Sequence, residues 1–177
     1  GWTTAVDAYR DGITSLGDSN RRRTGELRMS EARTLEDRLT DNEGALAAYT
    51  AVLALDARQP DAVRGALRTA ARVGRWDAVA SALVNATSAD GEVDEQLIGL
   101  VEADAEAHAG WDALTLAVEA ATQASTGLTP VARAYLEGRV AAWHRDHRGD
   151  DVAARAALER TRASEPGHLE RLTQLTQ

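Results

Sequence analysis

Residues 74–86 read GRWDAVASALVNA and residues 110–121 read GWDALTLAVEAA, so the chain writes nearly one phrase twice. A third version, GWTTAVDAYRDG, stands at 1–12. Aligned on that phrase, the 177 residues yield five copies, beginning at Trp2, Asn42, Trp76, Trp111 and Asp151, at spacings of 40, 34, 35 and 40. The seventh position is alanine in each copy: Ala8, Ala48, Ala82, Ala117 and Ala157. The eighth is large: Tyr9, Tyr49, Leu83, Val118 and Leu158. The fourth is small or aliphatic, as Ala5, Ala45, Val79, Leu114 and Ala154, and the eleventh is Gly12, Val52, Ala86, Ala121 and Thr161.

Positions four, eight and eleven follow i, i+4, i+7 and so form one stripe along a helix. Small residues beside large ones let a neighbouring helix approach while the larger side chain fills the groove. The pattern predicts that Ala48, Ala82 and Ala117 sit at helix–helix contacts with almost no exposure. Between the copies lie clusters of cap and turn residues: SLGDSN at 15–20, LTDN at 39–42, DARQPD at 56–61, VGR at 73–75, SADG at 88–91, STGLTP at 125–130, HRGDD at 147–151 and SEPG at 164–167. Helices are expected near 2–16, 21–39, 42–56, 61–73, 76–87, 92–109, 111–124, 130–148 and 150–163, with a short one after 167.

Composition agrees with an all-α chain. Three prolines, abundant Ala, Leu, Arg and Glu, and no alternating Val/Ile/Thr segment favour helix. No cysteine is present, which excludes disulfides and thiolate metal sites. Every basic residue is arginine, a bias that points to a GC-rich bacterial genome. The net charge of −8 argues against nonspecific binding to nucleic acid or anionic membranes, where a basic surface supplies most of the affinity. No apolar run reaches the roughly 18 residues of a membrane span. The opening residues do not read as a signal peptide, which tips the expected compartment toward the cytoplasm.

On these residues the chain resembles the tetratricopeptide repeat family, whose unit of about 34 residues is a helix–turn–helix. The segment from Pro60 matches best, placing Gly74, Trp76, Val79, Leu83 and Ala86 at the family's positions. Ala45, Tyr49, Val52 and Leu53 do the same for a second helix at 41–60. The Trp-Leu-Gly-Tyr signature of the family's first helices is missing throughout. The resemblance implies one α-α superhelix, a right-handed solenoid of antiparallel helix pairs, over residues 1–177. It divides into a half repeat at 1–16, repeats at 21–56, 60–87, 92–124 and 129–163, and the start of a further helix at 167–177. Incomplete units at both ends predict a piece of a longer array, or loose half-pairs that meet in a homodimer or end-to-end assembly.

Candidate chemistry is sparse. In WHRDHRGDD at 143–151, His144 and His147 are i, i+3, and Asp146, Asp150 or Asp151 offers a third metal ligand. The plainer reading is a solvated helix end, with Arg and His at the negative pole of the helix, Gly149 terminating it and Asp150 capping the next. No phosphate-binding glycine loop and no nucleophile–base pair occurs, so neither catalysis nor a cofactor is expected. Arg64, Arg68 and Arg72 are spaced i, i+4, i+8 on the first helix of the best repeat. By the family's layout they line the concave, ligand-holding face. Three like charges in a row repel unless an anion neutralises them. Either an acidic peptide does so, or neighbouring repeats do, through Glu36 and Asp37 on one side and Glu102, Asp104 and Glu106 on the other. The asparagines of the family's carboxylate clamp are not at matching positions.

These features predict a noncatalytic protein-interaction scaffold for a protein or peptide partner, with an acidic one favoured by the arginine row. Two alternatives stand beside it: a regulatory or sensor region of a larger bacterial signalling enzyme (kinase, ATPase or protease), and a structural element that self-assembles through its open ends.

Overall fold

Short-range capping marks where most of the helices begin. In the structure, a computed structural model that describes residues 1–17 and 20–164, nine α-helices follow in order. They are α1 (Trp2–Leu16), α2 (Arg21–Leu39), α3 (Asn42–Leu55), α4 (Pro60–Arg72), α5 (Trp76–Asp90), α6 (Glu95–Ala107), α7 (Trp111–Ala124), α8 (Pro130–Asp146) and α9 (Asp151–Ser164). Side chains of Asn20, Asp41, Gln59, Asp94, Thr129 and Asp150 each accept a backbone N–H from the first turn they cap. Pro60 and Pro130 open α4 and α8, where a missing N–H costs nothing. Asp150 therefore caps α9 as expected, and the left-handed Gly149 (φ 63°) precedes it. The expected helix after 167 lies outside the described residues.

Two boundaries differ from expectation by three residues. The α5 helix continues to Asp90 rather than stopping at 87, because the Thr87 hydroxyl donates to the Leu83 carbonyl inside the helix and Gly91 (φ 75°) supplies the left-handed stop only later. The start of α6 then waits for its Asp94 cap.

Neighbouring helices pack on one another in sequence, α1 on α2 through α4 on α5, and again α7 on α8 on α9. The α6 helix departs from this order: it packs chiefly on α4 and only lightly on α5 and α7, while α7 packs on α5. The expected pairing of α6 with α7 as a close hairpin is therefore loose. One continuous apolar cluster runs from Val6 in α1 to Ala157 in α9. Among the described residues, no helix is long and apolar enough to cross a membrane.

Two glycines explain how helices come close. A Cβ on Gly65 would lie 2.4 Å from the Tyr49 ring, and one on Gly110 would lie 2.0 Å from the Trp76 indole. Tyr49 and Trp76 of the repeated phrase thus each lie across a glycine of the following unit, joining α3 to α4 and the start of α5 to the start of α7.

The stripe of positions four and eight is buried in the three central copies: Ala45 and Tyr49, Val79 and Leu83, Leu114 and Val118. The alanine expectation holds for Ala48 and needs correction for Ala82 and Ala117, which are half-buried. Ala82 lines an open groove of about 520 Å³ with Leu46 and Leu53 of α3, so the helix beside it does not close onto the methyl. The outer copies are looser still. Ala8 and Leu158 are exposed, since α1 and α9 have a packed neighbour on one side only among the described residues.

Candidate functional site: the arginine row and its surroundings

The arginine row divides into two paired members and one free one. Arg68 of α4 donates from Nε and Nη2 to the two carboxylate oxygens of Glu36 in α2, at 2.5 and 2.8 Å. Arg72 adds a bond from Nη1 at 2.9 Å, and the Tyr49 hydroxyl of α3 donates to the same carboxylate at 2.9 Å. One carboxylate, 3 % exposed, therefore joins three helices. Burial works to raise the Glu36 pKa, yet the bonds from Arg68 and Tyr49 and the two positive charges outweigh it and hold it below the usual carboxylate range. Burial and the Glu36 charge push the Tyr49 phenol up, which keeps it a donor.

Arg64, one turn before Arg68, has no hydrogen bond or ion pair among the described residues and is exposed. It stands at a pocket of about 240 Å³ walled by Arg33, Asp37, Asp61 and Arg68. Of the five neighbouring acids expected to neutralise the row, only Glu36 bonds to it. Glu102 serves α8 instead, accepting from Arg139 and from the Trp143 indole at 2.8 Å. Glu106 accepts the Trp111 indole N–H at 2.7 Å. Asp104 faces Arg68 and Arg72 only through space; burial pushes its pKa up, and its Oδ2 is buried without a hydrogen-bond donor.

No protein-family profile, curated protein or solved structure matches this chain. Its own geometry carries the interpretation. The Glu36 arrangement recurs along the molecule. Glu31, also 3 % exposed, takes Arg10 of α1 at 2.6 Å and Arg28 at 3.0 Å. Arg160 of α9 bridges Glu119 of α7 and Glu137 of α8, the latter at 2.8 Å. These acids are structural joints between helices.

The histidine cluster resolves the same way. His144, fully buried, holds Glu119 Oε2 at 3.1 Å through Nε2, while its Nδ1 accepts from Arg148 at 2.8 Å. An arginine always donates, so Nδ1 carries no proton and Nε2–H is the donor to Glu119. His147 instead stacks on Trp111, ring centroids 3.5 Å apart and 6° from parallel. The two rings do not converge on one point, and among the described residues no group of three His, Asp or Glu side chains is placed to hold a metal ion.

The structure also brings forward residues that the repeat pattern passed over. Arg21, Arg22 and Arg33 edge a groove of about 830 Å³ whose apolar surface is Met29, Val52 and Leu55. The signal in the sequence was RRR at 21–23, a helix start without an acidic residue in its first turn, against the usual preference for negative charge there.

Proposed function

We propose that this chain is a noncatalytic protein-interaction scaffold, built as a right-handed superhelix of divergent tetratricopeptide-like helix pairs. Support comes from the order of packing, in which second neighbours α4 and α6, and α5 and α7, meet as stacked pairs would. The observation that carries the reading is Arg64. It is an exposed guanidinium that bonds no acid among the described residues, beside a pocket, on a helix whose other two row members are neutralised from within. A planar fork of donors in that setting suits a partner's carboxylate.

The test is recovery of partners on the immobilised chain, their identification, and rebinding of each as a purified protein. Binding that weakens with Arg64→Glu and with added salt supports the reading. Partners held equally by the wild type and Arg64→Glu, with no salt dependence, would overturn the role of the row.

A second reading, self-assembly, is favoured by the exposed residues of α1. Trp2 is 53 % exposed there, with Arg38 stacked 4.8 Å above its ring, and Ala8 is exposed as well. Sedimentation velocity across a concentration series distinguishes the two.

A further inference from the structure

We propose that the groove between the first half of α2 and the last turn of α3 docks an acidic amphipathic segment of a partner protein, an inference that rests on the scaffold reading and places its docking site in a groove that shares Arg33 alone with the lining of the Arg64 pocket. The groove has an apolar floor and a positive rim. Met29 and Val52 are buried at its base, and Leu55 is half-buried on its wall. Gly25 faces it from α2: a Cβ built there meets only a Leu55 methyl, at 3.9 Å. A glycine inside a helix costs about 1 kcal/mol relative to alanine, and here it leaves Leu55 open to a visiting side chain.

The rim supplies the charge. Among the described residues, Arg21 donates to backbone carbonyls, at 2.6 and 3.2 Å to Leu55 and at 3.5 Å to Ala54, and bonds no carboxylate. Arg22 and Arg23 share the single carboxylate of Glu26, at 3.2 and 2.9 Å. Arg33 pairs with Asp61 at 2.7 Å, both side chains 55 % exposed, and such a pair exchanges readily for another carboxylate. Asp56 is the remaining acid of the rim, and its Oδ1 is engaged by the Arg58 N–H. Among the described residues, three arginines (Arg21, Arg22 and Arg33) and two carboxylates (Glu26 and Asp56) line the groove, a locally positive surface on a chain of net charge −8. A partner with apolar side chains for the floor and carboxylates for the rim satisfies both parts. A nucleic acid would meet the rim but leave the floor empty, and the chain's overall charge repels it.

The test uses the full chain and four fluorescein-labelled probes read by anisotropy. Three are peptides of about 12 residues: one rich in Glu with two leucines one turn apart, one with those leucines changed to serine, and one with lysine in place of glutamate. The fourth is single-stranded RNA of similar length. The Glu–Leu peptide is expected to bind, and its Leu→Ser and lysine versions to bind at least about tenfold more weakly. Gly25→Leu, which fills the groove without a backbone clash, and Arg21→Glu/Arg22→Glu, which leaves the Arg64 pocket untouched, are each expected to weaken the Glu–Leu peptide by about tenfold or more, with Arg64→Glu within about twofold of wild type. Thermal melts and circular dichroism establish that the variants are folded; a Gly25→Ala/Arg22→Glu pair stands in if Gly25→Leu is not. Binding lost with Arg64→Glu but kept with Gly25→Leu overturns the groove and leaves the scaffold reading in place. RNA that binds and competes with the peptide overturns it in favour of a polyanion site, and failure of the Glu–Leu peptide to bind overturns it outright, while partner capture continues to test the scaffold.

Discussion

Arg68 reaches from α4 to Glu36 in α2 and bonds both oxygens of its carboxylate, at 2.5 and 2.8 Å. A residue that the family resemblance implies to be in a ligand-facing row is thereby a structural joint, reinforced by Arg72 and by the Tyr49 hydroxyl. The carboxylate sits where desolvation is costly, so what keeps it charged is the number and geometry of its donors.

Glu36→Gln should destabilise the fold by about 3 kcal/mol at neutral pH, the low end for a broken buried pair, because both arginines are about a third or more exposed and can turn to water. The Glu36 pKa is lower in the folded chain than in the unfolded one, so its stabilisation is complete above the ordinary value near 4.5 and is lost as pH falls through the lower folded value. Urea melts of wild type and variant from pH 7 to 3 should therefore converge at the acid end.

Glu137→Gln should behave in the opposite sense. Burial raises the Glu137 pKa despite its bond to Arg160. Its folded value lies above the unfolded one, so its charge opposes folding near neutrality, and that opposition is relieved as pH falls through the folded value. The wild type should gain stability relative to Glu137→Gln on acidification toward pH 4.5, in the same set of melts.

Gly110→Ala should cost at least about 1–3 kcal/mol, because the new methyl would overlap the Trp76 indole and the start of α5 or α7 must shift. A lower melting temperature with altered tryptophan emission is the expected result. An unchanged melt would mean that α5 and α7 do not meet at this point.

Ala48→Leu and Ala82→Leu should part company, though the two alanines hold the same place in the repeat. Ala48 is 4 % exposed, and overpacking there should cost about 1–3 kcal/mol. Ala82 borders open volume, so its leucine variant should stay within about 0.5 kcal/mol of the parent.

Within the arginine row, Arg64→Glu should melt with the wild type to within about 0.5 kcal/mol, since it breaks no internal bond. Arg68→Glu should be severely destabilised, because it sets a second carboxylate against the buried Glu36. Melting temperatures of the two variants side by side provide the check.

The helical class and nearly every helix start were legible in the sequence alone, because caps, prolines and the i, i+4, i+7 stripe act over a few residues. Asp150, Pro60 and the Tyr49–Val52 face needed no knowledge of what lay opposite them. Three matters waited for the tertiary structure. The repeat treats Ala48 and Ala82 alike, but burial depends on how closely the next helix approaches, and α3 leaves a groove beside α5. The spacing of Arg64, Arg68 and Arg72 makes them one row, yet a carboxylate 32 positions before Arg68 binds two of them and leaves the third without a bonded acid among the described residues. His144 and His147 share a short stretch of chain, but one ring turns into the core toward Glu119 and the other stacks on Trp111. Local rules set the backbone of each helix; which charges cancel and which side chains are covered is settled by residues distant in the chain, through packing that no short-range pattern encodes.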